Sequence, residues 1–380
     1  MKLGIISSMA ASPWGGSEEL WVALAERALS EKLQVSASVF DWGELPAKIK
    51  NLKGKGASIH LRSRISYTDI KGKLKGKLVK ILFAEKQLGD FVKRENPDVL
   101  FVSLGAFCDL EIDSLRSFLL TSDIPFYLVV HSNNESFTID PLKFKKLREV
   151  CSRAKMILFV SDRLRKQSER QIAYDFRNSD IVINPVNMTQ FGKLPPTGFR
   201  EPVFACVGTI QTGVKGQGML LQILGNAKWR ERNWKLNIYG RGPDEGLIKE
   251  LIDFYGLQKK VFLKGYASDI RNEIWAMNDL LLMPSFIEGM PISLVEAMLC
   301  GRPAVVTDVG GNRELVSDEE TGFLAEGANP FSFERAMERA WKKREEWESM
   351  GERACLRAAE IYKQDPTDSL LKIITGNDNN

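Results

Sequence analysis

The stretch that decides the fold runs from Asp279 to Asp308, "DLLLMPSFIEGMPISLVEAMLCGRPAVVTD". "DLLLMP" is a near-continuous apolar run and reads as a strand buried on both faces. A turn carrying Glu288 and Gly289 follows, then a helix over Pro291 to Cys300 with proline in its first turn. Gly301 and Pro303 end that helix, and "PAVVTD" is a second apolar strand. Strand, helix and strand in this order make a βαβ unit of a parallel sheet. The stretch also holds two glutamates that need explaining. Glu288 sits at the helix mouth, where free N–H groups favour an anion. Glu296 lies on an apolar face with Leu294, Val295, Met298 and Leu299, and a buried charge is costly unless something pairs with it. Alone, each has a plain reading: a cap on the helix dipole for Glu288, a salt bridge to an arginine for Glu296. Together, two acceptor-only carboxylates beside N–H donors suit a ligand bearing both hydroxyls and phosphate.

The same alternation continues in both directions. "KLGIIS", "VSASVF", "DVLFVS", "FYLVVH", "KMILFV" and "DIVIN" read as strands in the first half, with helical patterns over Glu18 to Glu31 and Lys73 to Arg94. "VFACVG", "KLNIYG", "VFLKG", "DLLLMP" and "PAVVTD" follow in the second. Between the halves lies "NPVNMTQFGKLPPTGFREP", residues 184 to 202, rich in proline, glycine and polar residues. The expected division is therefore 1–195 and 196–365. The end of the chain, from Asn329 to Thr375, reads as helical with a break at "KQDPTD", and the final "GNDNN" as disordered. Two doubly wound domains, α/β in class, imply a cleft with ligands at the carboxyl ends of the strands.

A chain of 380 residues suits two such domains, and 44% apolar with 27% charged residues is ordinary for a soluble protein. The five cysteines are scattered, with no C-x-x-C pair, and only His60 and His131 are available beside them. A zinc site or disulfide framework is not expected, which favours a reducing cytoplasm. The opening "MKLGIISSMAASPWGG" reads as a first strand and glycine turn rather than a signal peptide, and no run of eighteen apolar residues occurs. The net charge of +4 conceals a concentration: from Lys48 to Lys80 there are eleven Lys/Arg against one acid, Asp69. Such a segment attracts polyanions, anionic lipid surfaces among them, or is merely a solvated lysine-rich loop. With Tyr67 as its lone aromatic it does not favour nucleic acid.

Glycine-rich turns follow the strands where ligands would bind. Gly15 and Gly16 follow the first strand. "GTIQTGVKGQG" opens the second domain, its glycines letting backbone approach a ligand and Lys215 placing a point charge before a helix N-terminus. It is not a Walker A loop, since no G-K-[ST] closes it. "GRGPDEG", with Gly240 and Arg241, has the wrong glycine spacing for a dinucleotide fingerprint.

"PSFIEGMPISLVEAMLCGRPAVVTDVGGNRELVSDEETGFL" resembles the signature of retaining glycosyltransferases of family 4, which have the GT-B fold. Its E-x7-E pair, "EAM-x-C-G-x-P" helix end, "GGNREL" turn and "TGFL" strand come in the family's order. "VGTI…KGQ", "YGRGPD", "LKGYASDI" and the N-terminal "GGSEELWVALAERAL" fit too, so the likeness is dense in the second domain and sparse in the first. It implies two Rossmann-like domains facing across a cleft, the second binding a nucleoside-diphosphate sugar and the first a hydroxyl acceptor, glycan or lipid-linked sugar. It implies that the last helix, about 366–375, packs back on the first domain.

By the resemblance, Glu288 would hold hydroxyls of the donor sugar, and Gly289, Met290, Pro291 and Ile292 would meet sugar and phosphate. Glu296 would accept from the ribose hydroxyls, and Lys215 would neutralise the diphosphate leaving group. Gly16, Gly208, Thr209, Gly240, Arg241 and Tyr266 would line the donor, with His131 near the sugar from the first domain. One departure stands out. The family usually places an arginine where this chain has Thr209, and the loop to Lys215 is one residue longer. Arg241 and Arg313 are the candidates for the second positive charge. No D-x-D motif stands on a metal-binding turn, so neither a metal nor another cofactor is expected. The resulting expectation is a cytoplasmic enzyme, or one peripheral at the inner membrane face, working in cell-envelope polysaccharide or glycolipid assembly. The rivals are a nucleotide-sugar epimerase of the same architecture and a non-catalytic nucleotide-sugar or polyanion binder.

Overall fold

The computed structural model describes residues 1–10, 12–63, 74–188, 190–198 and 201–376. It divides into two compact units, Met1–Pro185 with Asp365–Asn380, and Val186–Gln364.

In the first unit the strands are β1 (Lys2–Ser7), β2 (Gln34–Phe40), β3 (Ser58–Arg62), β4 (Val99–Leu104), β5 (Phe126–Val130), β6 (Met156–Phe159) and β7 (Ser179–Ile181). They pair in parallel in the order β3-β2-β1-β4-β5-β6-β7, with Ile5 opposite Ala37 on one side and Phe101 on the other. The order reverses between β1 and β4, so the carboxyl ends of those strands form the unit's switch point. Two hydroxyls tie that point together. Ser7 donates to Glu18 Oε1 at 2.7 Å, and Ser8 to Asp109 Oδ2 at 2.5 Å. Strand β3 is absent from the sequence reading because "SIHLR" has only Ile59 and Leu61 as apolar residues. It lies at the sheet edge and is half-exposed over most of its length.

His131 follows β5, with its N–H on the carbonyl of Leu104. Burial pushes its ring down to about 3, against a hydrogen bond to the Asn184 side chain that acts in the other direction. In an unfolded chain a histidine titrates near 6.5. Between about 6.5 and 3 the unfolded chain therefore takes up a proton that the folded protein refuses, and stability falls as pH is lowered through that window. A His131→Gln variant lacks this term. Urea unfolding should show wild type losing about 2–3 kcal/mol relative to the variant between pH 7 and 4.5. Parallel losses in the two proteins would refute a buried neutral imidazole.

In the second unit the strands are β8 (Val203–Val207), β9 (Lys235–Tyr239), β10 (Val261–Gly265), β11 (Leu280–Met283), β12 (Ala304–Thr307) and β13 (Phe323–Ala325), ordered β10-β9-β8-β11-β12-β13. Here the order reverses between β8 and β11. Apolar strands covered on both faces give a dense core, in which Phe204 packs on Trp234, Trp341 and Trp347 with ring centroids 6.1–6.5 Å apart.

The division falls at Pro185, before the 195/196 boundary read from composition. Backbone polarity explains the difference: Gly192 and Leu194 donate to the carbonyls of Leu299 and Cys300, and Arg302 binds the carbonyl of Pro195 at 2.8 Å. These bonds fasten a proline-rich stretch to the second unit. At the other end Pro366 begins a helix rather than only ending one. Asp365 caps Pro366–Thr375 by accepting from the N–H and hydroxyl of Thr367. That helix belongs to the first unit, where Asp368 pairs with Arg27 at 2.7 Å and Tyr127 donates to the carbonyl of Ile373 at 3.0 Å.

The basic segment is not a bare cationic face where it is described. Arg62 is buried, and Lys48, Lys50 and Lys55 pair with Glu19, Glu44 and Glu26 at 2.5–2.8 Å. Arg64, Lys71 and Lys73 lie outside the described residues, as do 377–380 and with them most of "GNDNN". No helix among the described residues is long and apolar enough to cross a membrane.

Candidate functional site

Three loops meet at the carboxyl ends of β8, β11 and β12. The first leaves β8 at Gly208, forms a single helical turn over Thr212–Lys215, and enters the helix Gln217–Leu224 through Gly216 in the left-handed region. Asp244 holds the turn by accepting from the N–H and hydroxyl of Thr212 at 2.7 and 3.0 Å. The Lys215 stem passes over Gly208, where an added Cβ would lie 3.8 Å from its carbons.

The second loop leaves β11 at Pro284. Phe286 and Ile287 both donate to the carbonyl of Val214, which pins this loop onto the first. Pro291 stands just outside the helix as its cap residue, and the helix itself spans Ile292–Leu299. The third loop follows β12. Thr307 donates to the carbonyl of Ser285 and Gly311 to that of Gly289, both at 2.6 Å. Gly310 has a positive φ and lies so close to the carbonyl of Gly289 that an added Cβ would stand 2.7 Å from it.

This stacking joins Lys215 to Glu288. The ammonium contacts both carboxylate oxygens at 2.8 and 2.9 Å, and Ser285 donates to Oε1 at 2.6 Å. Glu288 is 7% exposed, and the lysine answers the cost of burying it. Where the plain reading of Glu288 is a cap on the helix dipole, its partner is therefore a lysine from another loop. Glu296 is 3% exposed and accepts from the Asn187 N–H at 3.3 Å. The Tyr362 hydroxyl is pushed above its ordinary range by burial and then by the Glu296 carboxylate.

Gly208, Gly240 and Gly265 are stitched in series: Gly208 donates to the Tyr239 carbonyl, Gly240 to that of Gly265, and Ile210 to that of Arg241. Thr209, Arg241 and Tyr266 are exposed along this seam, and Met290 is buried beside Gly289. Arg313 is held by Asp308 at 2.5–2.8 Å, whereas Arg241 forms no ion pair among the described residues. Of the two candidate cations, Arg241 is the one left available. Gly16 and His131 belong to the other unit, Gly16 opening the helix Gly16–Ser30. The sequence reading missed Ser285, Thr307 and Asp244, although S-x-x-E at 285–288 is a local signal for the first. Among the described residues no group of three or more His, Cys, Asp or Glu is arranged to hold a metal ion.

Residues 196–357 match the family described as Glycosyl transferases group 1. The N-acetyl-alpha-D-glucosaminyl L-malate synthase of Bacillus anthracis is 31% identical over 137 residues, 36% of this chain and 35% of that protein. The UDP-Gal:alpha-D-GlcNAc-diphosphoundecaprenol alpha-1,3-galactosyltransferase of Escherichia coli is 40% identical over 83 residues, 22% of this chain and 21% of its own. The chain thus spans less than half the length of these relatives. Among solved structures, Anabaena HepE in complex with UDP superposes over 99% of both chains with a TM-score of 0.70 at 16% identity. A glycosyltransferase from Rickettsia africae does so over 99% of this chain and 98% of its own, at 0.73 and 16%. The fold is that of the GT-B glycosyltransferases, each unit a Rossmann-like parallel sheet.

Proposed function

We propose that this chain, whose residues 196–357 belong to the glycosyl transferases group 1, moves a sugar from a nucleoside-diphosphate donor to a hydroxyl acceptor with retention of configuration. The observation that carries the reading is the Lys215–Glu288 pair at the carboxyl ends of β8 and β11, with Glu296 one helix turn and more beyond it. A pyrophosphate arriving there draws the Lys215 ammonium to itself and frees the Glu288 oxygens for the sugar's hydroxyls. Glu296 takes the ribose hydroxyls, and Arg241 adds the charge that Thr209 does not supply. The chemistry is departure of the diphosphate assisted by Lys215 and backbone N–H groups, with an oxocarbenium-like sugar at the transition state. In this scheme Glu288 holds the sugar's hydroxyls, with Ser285 still donating to its Oε1, and is not assigned as a nucleophile. No metal enters this scheme. The acceptor belongs to the first unit, and the relative whose name gives alpha-D-GlcNAc-diphosphoundecaprenol as its acceptor supports a role in envelope assembly, on the cytoplasmic side.

Thermal shifts of the full chain with UDP, GDP, ADP and their sugars test the donor, since a ligand at a hundred times its Kd raises stability by about 2.7 kcal/mol. Product analysis then separates transfer from isomerisation of the free donor. Glu296→Gln should weaken binding of the stabilising nucleotide about tenfold, the worth of one charge-assisted hydrogen bond. Unchanged affinity would remove Glu296 from the ribose.

A further inference from the structure

Three carboxyl groups border the switch point of the first unit, those of Glu18, Glu19 and Asp109, and two of them are fully occupied. Glu18 accepts from the Ser7 hydroxyl with one oxygen and from the Trp21 N–H with the other. Glu19 accepts from the Trp14 N–H at 3.0 Å and pairs with Lys48 at 2.5 Å. Asp109 is different. Its Oδ2 takes both of its bonds, from the Ser8 hydroxyl and, at 3.2 Å, from the Ala106 N–H. Its Oδ1 accepts from no described residue, no described cation pairs with it, and this half-buried side chain leaves that oxygen open to solvent.

The carboxylate is aimed by loops from three strands. Ser8 follows β1, and its hydroxyl also accepts from the Gly105 N–H at 3.0 Å. After β5, Ser132 donates to the Gly105 carbonyl at 2.7 Å and accepts from the Phe107 N–H at 3.1 Å. An added Cβ at Gly105 would stand 3.3 Å from Asp109 Oδ2, so glycine leaves the carboxylate its room. Desolvation lifts this carboxyl above the ordinary aspartate range, against the Ser8 hydroxyl and the N–H groups of Ala106 and Gly105.

A carboxylate fixed by one oxygen and open at the other suits a ligand that donates a hydrogen bond. A hydroxyl completes it, and an ionised acceptor makes the stronger class of such bonds. An anion is repelled, because no cation stands by to offset the charge. A metal ion would need more ligands than this one oxygen, and none gather here among the described residues.

We propose that Asp109, positioned by Ser8, binds a hydroxyl of the acceptor through Oδ1 and so favours neutral acceptors over acidic ones. The inference rests on the reading of the first unit as the acceptor side. Its test does not use the donor site.

The probes are the methyl glycosides of glucose, galactose and mannose, each beside its methyl uronide, in which a carboxylate replaces the hydroxymethyl group. Binding to the full chain is measured by ligand-observed NMR, with UDP followed in the same samples. At least one neutral glycoside should bind, tenfold or more tightly than its uronide. Asp109→Asn keeps an oxygen for Ser8 and the Ala106 N–H, so the melting temperature should hold. Affinity for that glycoside should fall about tenfold, the worth of a hydrogen bond to a charged group, and the preference over the uronide should vanish. Ser8→Ala loosens the carboxylate without removing its charge, so affinity should fall about threefold while the preference remains. If Asp109→Asn does not fold, the wild-type comparison and Ser8→Ala carry the test. Three results would overturn the proposal: no binding of any neutral glycoside, equal binding of glycoside and uronide by wild type, or a preference that survives Asp109→Asn. Unchanged affinity in Ser8→Ala would overturn it as well. UDP should bind wild type and Asp109→Asn alike, and its failure to bind wild type would count against the donor reading instead.

Discussion

Lys215→Ala is expected to lower sugar transfer about a thousandfold, the scale on which removing one preorganised charge from a developing anion acts. The expected loss of stability is much smaller. The ammonium balances a carboxylate that is 7% exposed, but the lysine side chain itself is 27% exposed, and Ser285 stays on Glu288 after the change. A fully buried pair broken on one side costs about 3–5 kcal/mol, and solvent access here reduces that to roughly 1–2 kcal/mol. The two effects separate in a second variant. Lys215→Met with Glu288→Gln removes both charges, so it should recover most of the stability and none of the turnover. A Lys215→Ala enzyme within tenfold of wild-type kcat would show that the lysine is only the carboxylate's structural partner. A double variant no more stable than the single one would show that the pair is not what balances Glu288.

The pairing of Lys215 with Glu288 marks where the sequence stopped being legible. The turn and helix around Glu288 could be read because everything that shapes them is local: apolar strand, proline at the helix start, glycine and proline at its end. The lysine's partner is seventy-three positions away. It is brought in by two loops that become neighbours only because β8 and β11 are adjacent at a chain reversal, and no periodicity reports that. The strands buried on both faces were legible for the same local reason, and β3 was not, since an edge strand needs no continuous apolar run. Charge counting failed in a different way at Arg62. It added this residue to a basic surface, although the guanidinium is folded under the sheet ends against Ser7, Ser38 and Phe40. A tally of charges contains no information about burial. The domain boundary shows the converse, since a stretch with linker composition is fastened to one unit by its backbone groups.

Gly216→Ala is the second large effect expected, and it is one of geometry rather than charge. Gly216 has φ +70, and an added Cβ would fall on the carbonyl oxygen of Pro284. The left-handed backbone alone costs an alanine about 1–2 kcal/mol. The clash is with main chain, which cannot rotate away as a side chain would. The sum should reach about 3 kcal/mol or more, among the larger values for a single substitution, and lower Tm by roughly 6–12 °C for a unit of this size. Gly213 supplies the comparison inside the same loop, because its φ is not in the left-handed region and nothing lies within 4 Å of an added Cβ. Gly213→Ala should therefore leave stability unchanged or slightly raised, through the unfolded chain. Function should divide in the same way. The bonds from Phe286 and Ile287 to the Val214 carbonyl hold the two loops in register, and forcing Gly216 away from Pro284 breaks that register. Lys215 then no longer reaches Glu288, so transfer should fall even at temperatures where Gly216→Ala remains folded. Equal melting temperatures for the two variants would mean that the loops do not stack as described, and the placement of Lys215 would fall with them.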